Sequence, residues 1–160
     1  MKKVFVSTML ALLLVMALAG TTFAAPAAAT KEWHLKGSLE SVETYTVNFP
    51  IMSVTASGSG YATQLGRFTV RYEVDVNLLT IAGIGSAQFV AANGDRLFAE
   101  GVGQATETGT PGVFNIIENY TITGGTGRFA GATGSITLDR VVDTNTGITS
   151  GTMTGNIVVP

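Results

Sequence analysis

The chain has 160 residues, with nine bases, eleven acids, one histidine and no cysteine, and a net charge near −2. That length is one domain's worth, enough for a core without disulfides, and the faintly acidic, charge-poor balance argues against nucleic acid and anionic membranes as partners. One histidine and no cysteine cannot build a zinc or iron site within a single chain, so neither a metal nor any other cofactor is expected.

In chain order, the first element is an export signal. "MKK" is a positive start, "VFVSTMLALLLVMALAG" is apolar, and "TTFAAPAAAT" is the small-residue tract after it. Thr22-Phe23-Ala24 predicts cleavage after Ala24, so residues 1–24 read as a signal peptide and 25–30 as a flexible alanine-rich N-terminus. A retained anchor is the alternative, since no charge falls between Lys3 and Lys31. Cleavage removes Lys2 and Lys3, leaving seven bases against eleven acids and a charge of −4. The expected location is secreted or periplasmic, with no membrane association once the segment is gone.

Residues 31–160 read as strands throughout. In "RFTVRYEVDVN", Phe68, Val70, Tyr72, Val74 and Val76 alternate with polar residues, the period of a strand with one buried face. "KEWHLKGSLE", "VETYTVNFPIMSVTA", "GIGSAQFVAA", "DRLFAEGVGQATE", "GVFNIIENYTIT", "GSITLDRVVD" and "GITSGTMTGNIVV" read alike, and Pro50 predicts a bulge or edge position in the second of these. Asn93-Gly94 predicts a two-residue type I′ turn, while "TGTPG" and "DTNTG" are longer loops. No apolar stripe of helical period occurs after residue 30. Eight strands with short turns predict an all-β, eight-stranded antiparallel up-and-down barrel, which removes exposed edges; an open sandwich is the alternative. Glycines inside the strands, such as Gly37, Gly83, Gly101 and Gly151, fit tight bends at barrel corners.

"ITGGTGRFAGATGS" carries Gly125, Gly127 and Ala130 in a G-x-G-x-x-A pattern. A dinucleotide site needs a helix after those glycines, yet "GATGSITLDRVVD" continues as strand. A phosphate loop needs a lysine, and none lies beyond Lys36. The stretch is therefore predicted to be a corner whose glycines take positive φ. "GSGYATQLGRFTV" echoes it and reads as a reused corner.

These residues also carry a resemblance. "GGTGRFAGATG" resembles a stretch of plant dirigent proteins and of allene oxide cyclase-type barrels. With "GYATQLGRFTV" and "AANGDRL" it is similar to small exported bacterial proteins described as allene oxide cyclase barrel-like. The resemblance implies an eight-stranded barrel with a central cavity, trimeric in plant relatives. The bacterial pattern has His where Gln64 stands, and allene oxide cyclases use a cavity cysteine that this chain lacks.

One constellation points to chemistry. Glu118 shares parity with Phe114, Ile116, Tyr120 and Ile122, and Glu100 with Phe98 and Val102. If the chain turns at residue 110, Glu100 stands opposite Tyr120 and Glu118 opposite Val102, placing two carboxylates and a phenol on one apolar face. Inside a barrel such a set is a poised acid or base, with Glu118, Glu100 and Tyr120 as catalytic candidates. Tyr72, Phe98, Phe114 and Arg140 are the ligand-binding candidates, although Tyr72 and Tyr45 also fit the core. By the same register Arg140 falls nearer the other barrel end. Against this reading, a bulge at Ile116-Ile117 would turn Glu118 outward, or Leu97, Ala99, Gly101, Gly103 and Ala105 would be the inner face. His34 alternates opposite Trp33 and Leu35 and is expected to face solvent.

Three functions fit this pattern: a barrel binding a small apolar or aromatic ligand, a cyclase or isomerase using Glu100 and Glu118, or a structural extracytoplasmic protein with a packed barrel. The sparse chemistry favours binding.

Overall fold

The computed structural model describes residues 29–160; the expected signal peptide at 1–24 and most of the expected flexible stretch at 25–30 lie outside them. Eight strands run in order: β1 (Lys31–Asn48), β2 (Ile51–Ala62), β3 (Gly66–Asn77), β4 (Ala82–Ala91), β5 (Arg96–Glu107), β6 (Val113–Gly125), β7 (Thr133–Asp143) and β8 (Ile148–Val159). Each pairs antiparallel with the next, and β8 pairs back onto β1, so the sheet closes into an up-and-down barrel with no open edge. Closure rules out the sandwich alternative. It is favoured because every backbone group of an edge strand finds a partner, leaving nothing to template aggregation.

The start of β1, the end of β8 and the connections at 63–65, 92–95 and 126–132 lie at one end, called lower here. The turns at 49–50, 78–81, 108–112 and 144–147 lie at the upper end. Two sequence expectations are corrected by the path of the chain. "KEWHLKGSLE" and "VETYTVN" form one 18-residue strand rather than two, because Leu35, Leu39, Ser41 and Glu43 keep a single alternation of buried residues throughout. Pro50 is neither bulge nor edge but part of the β1–β2 turn, after a cis Phe49-Pro50 bond.

The turn around Asn93-Gly94 also differs from expectation. A type I′ turn needs positive φ at both central residues, and only Gly94 has it, at +87°. The Gly94 N–H donates to the Ala91 carbonyl and the Ala91 N–H to the Asp95 carbonyl, each at 2.9 Å, giving a three-residue loop with glycine in the left-handed position. The glycine-rich stretch turns a corner as expected. Residues Gly127–Phe129 form a single 3-10 turn, with positive φ at Gly127 and Gly131. Phe129 drops fully buried into the lower end and packs edge-on against Trp33, ring centroids 6.1 Å apart.

The lower half of the interior is apolar: Leu35, Leu39, Phe68, Phe89, Leu97, Ile136, Met153 and Ile157 are all buried. Strand glycines serve this interior rather than corners. A Cβ on Gly60 would lie 2.7 Å from the Phe68 ring, one on Gly101 2.8 Å from the Tyr120 ring, and one on Gly103 2.7 Å from Glu118 Cγ. Each glycine makes room for a large side chain on the neighbouring strand, which is how a narrow barrel is filled at near-crystalline density.

Candidate functional site

The upper half of the interior holds charge. Glu43 on β1, Glu118 on β6 and Arg140 on β7 are 6%, 3% and 4% exposed. Alternation places them there: Glu43 is in phase with Leu35 and Leu39, Glu118 with Tyr120 and Ile122, and Arg140 with Leu138 and Val142. Arg140 lies at the centre. Its Nε donates to Glu118 Oε2 at 2.8 Å and its Nη2 to Glu118 Oε1 at 3.0 Å, a bidentate pair. Its Nη1 donates to Glu43 Oε1 and, at 3.3 Å, to Thr149 Oγ1. The guanidinium also lies 5.2 Å from the centre of the Tyr72 ring.

Tyrosines complete the belt around Glu43. The Tyr72 hydroxyl donates to Oε1 at 2.7 Å, and the Tyr45 hydroxyl to Oε2 at 2.9 Å. With its proton so committed, Tyr72 accepts from Ser41 Oγ at 2.8 Å. No buried side-chain nitrogen or oxygen among the described residues lacks a partner. That completeness matters because an unpaired polar group here would cost about 1–3 kcal/mol.

The belt holds its protons in place. Burial pushes the Tyr72 phenol well above the usual range, with Glu43 adding to the effect and Arg140 opposing it. Burial, then the Glu118 charge, does the same to Tyr120, and burial, then Glu43, to Tyr45. Burial alone would disfavour the charge on Arg140, but hydrogen bonding and attraction to Glu118, with Glu43 beyond, raise its pKa above the ordinary arginine value. The belt therefore carries a permanent cation against two carboxyl groups, with phenols that stay protonated.

Glu118, Tyr120, Tyr72 and Arg140 thus share one interior. Phe114 is half-buried on the same inward face of β6, beside Val142 at the upper mouth. Glu100 does not join them. It is exposed and stands opposite Thr121, while Gly101 faces Tyr120 and Gly103 faces Glu118. The β5–β6 register is one residue away from a turn centred on 110, and one residue exchanges the faces of a strand. Leu97, Ala99 and Gly101 form the inner face of β5 instead. Phe98 also faces out and lines, with Glu100, Arg71 and Gln88, a groove of about 640 Å³ on the outer wall. The β6–β7 ladder runs through Ile116 and Ile117 without a shift, so no bulge turns Glu118 outward. Arg140 belongs with Glu118 rather than with the other barrel end, because the β6–β7 register sets it beside Ile116, one inward position above Glu118's partner Leu138.

Glu43, Ser41 and Thr149 did not stand out in the sequence. The signal for the first two was present: both alternate in phase with Leu35 and Leu39, and the phase is lost if β1 is broken at Glu40. Nothing local marks Thr149; its role comes from the strand that β8 meets on closure, where it pairs with Ser41.

Among solved structures the chain is similar to a pterocarpan synthase dirigent protein, with a TM-score of 0.58 over 84% of this chain and 94% of that one. The barrel is dirigent-like. Sequence identity across that match is 13%, so the likeness is one of fold alone. No protein-family model matches the chain, and no curated protein does.

Proposed function

We propose that this chain is an exported dirigent-like barrel that binds a small apolar or aromatic ligand at its upper mouth, over the Arg140 belt. The observation that carries this reading is the belt itself. A barrel built only for stability gains as much or more from apolar filling, because burying ions costs several kcal/mol each before their attraction is counted. Buried, fully hydrogen-bonded charge in a closed barrel is therefore a mark of function. Met52, Val76 and Phe114 are half-buried on inward-facing positions above it, and Tyr45 and Ile116 are half-buried at its own level, an apolar and aromatic rim over a polar floor. Such an arrangement suits a flat apolar molecule with one polar end. Among the described residues the lower end is plugged by the buried Phe129 and Leu65.

The cyclase reading is weaker on this geometry. It relied on Glu100, which lies outside, and both oxygens of Glu118 are engaged by Arg140. The solved neighbour is named a pterocarpan synthase; a comparable activity here would need an acid free to exchange a proton with substrate.

Titrating the barrel with a panel of small substituted phenols, monitored by NMR, tests the reading. Perturbed signals from Tyr45, Phe114 and the Arg140 Nε–H would support it. Perturbations confined to the outer wall, or none across the panel, would remove the upper mouth as the site.

A further inference from the structure

Charge is segregated along the barrel axis. Lys31 and Lys36 on β1, Arg67 on β3, Arg96 on β5 and Arg128 in the 3-10 turn all lie at the lower end, and all are exposed. The acids at that end are Glu32 and Asp95, so five bases against two acids leave the rim at +3. Asp95 is engaged by Arg128 at 3.6 Å, and Glu32 accepts from Asn156 Nδ2 at 2.9 Å. Glu40, Arg71, Glu73 and Glu100 stand on the outer wall around its middle. The upper half carries Asp75, Glu107, Asp139 and Asp143 outside and Glu43 and Glu118 inside; its one base among the described residues is the interior Arg140. Asp143 is held below the usual carboxylate range, first by the backbone N–H of Asn145.

Two further features share the lower rim. Tyr61 is 64% exposed and stands directly across from Arg67. Trp33 is half-buried, with Lys31 Nζ 5.5 Å from its ring. An exposed tyrosine beside arginine suits the headgroup layer of a bilayer, where the ring is half-immersed and the cation meets phosphate; Trp33 instead points inward onto Phe129. The chain also enters the barrel here, at Lys31, after the uncharged stretch from Val4 to Thr30.

We propose that the lower rim seats the barrel on anionic phospholipid headgroups, with the acidic upper mouth turned away from the membrane. A net charge of −4 argues against such a partner only if the charges are evenly spread, and a surface about 10 Å away is felt locally at 0.1 M salt. The rim's charge, not the net charge, then decides the encounter. This proposal does not depend on the ligand at the mouth.

The eight strands and the core residues among the described residues lie between Lys31 and Val159, so the chain from Ala25 onward carries the barrel and separates the rim from the apolar segment. Flotation of that chain with vesicles of phosphatidylcholine alone, and of phosphatidylcholine with one quarter phosphatidylglycerol, tests the proposal. Binding is expected only to the anionic vesicles, and is lost as ionic strength rises from about 0.01 M to about 1 M. The combined variant Lys36→Glu, Arg67→Glu, Arg96→Glu turns the rim from +3 to −3 and should weaken it at least about a hundredfold, on a scale of roughly fivefold per base. Asp75→Lys with Glu107→Lys should not weaken it. Equal binding to neutral vesicles, no binding, or insensitivity to salt would each overturn the proposal, even if the triple variant failed to fold. Soluble polyphosphate displacing the chain at no higher phosphate concentration than the vesicles present would also overturn it, assigning the rim to free anions.

Discussion

The two halves of the barrel use the same eight strands but fill them differently. Below, Phe68, Phe89, Phe129 and Ile157 interlock in an apolar interior. Above, large polar side chains from β1, β3, β6 and β7 meet one another across small residues of β4 and β5. The lower half gains its stability from area removed from water, which is roughly additive and forgiving of direction. The upper half depends on each donor meeting its acceptor, since every group left over is a buried cost. Stability and specificity are thus assigned to different ends of one short cylinder.

The largest expected effect comes from removing the centre of the upper half. Arg140→Met leaves two carboxyl groups buried without their cation and should destabilise the fold by about 3–5 kcal/mol in chemical denaturation. Replacing Arg140, Glu43 and Glu118 together by apolar residues of similar size should restore most of that stability. The upper half would then resemble the lower, and binding of the phenol probes should disappear. A triple variant less stable than Arg140→Met would mean that the belt itself holds the barrel together.

Gly103→Ala tests whether the small residues of β5 exist to accommodate the belt. The added methyl would press on Glu118 Cγ and disturb its pairing with Arg140, and the expected loss is about 1–3 kcal/mol. No loss would show that the belt has room to move.

Alkaline titration sharpens the contrast without mutation. The folded-state values of Tyr45, Tyr72 and Tyr120 all lie above the unfolded phenol value of about 10. Their contribution is intact below that pH and declines as pH rises past it, because the unfolded chain releases protons that the folded chain retains. Tyrosinate absorbance should therefore show these three phenols ionising together with loss of near-ultraviolet circular dichroism, not before it. The smallest effect is expected at Glu100→Gln, within about 0.5 kcal/mol and without change in ligand binding, as for an exposed wall residue.

Much of this arrangement was legible in the sequence. Alternation in "RFTVRYEVDVN" and its counterparts, with turn residues between them, is a local property, and so the eight-strand barrel could be inferred residue by residue. The glycine stretch could likewise be assigned to a corner, because the residues beyond it are β-branched rather than helix-forming. The site was half legible. Parity placed Glu118, Tyr120, Tyr72 and Arg140 on inward positions, yet it set Glu100 on the same face as Glu118, since a loop centre misplaced by half a residue exchanges the faces of a strand. Glu43 was overlooked because β1 is unusually long, and a break at Glu40 removes the phase that reveals it.

The period of each strand, the apolar lower core and the corner at Gly127 are written into short stretches of chain, because each depends on neighbours a few residues away. The meeting of Arg140 with Glu43, 97 residues distant, and the gathering of the bases at one end exist only in the closed barrel. Both depend on closure of β8 onto β1 and on the register of each ladder, quantities that involve the whole circumference and that no single stretch of chain encodes.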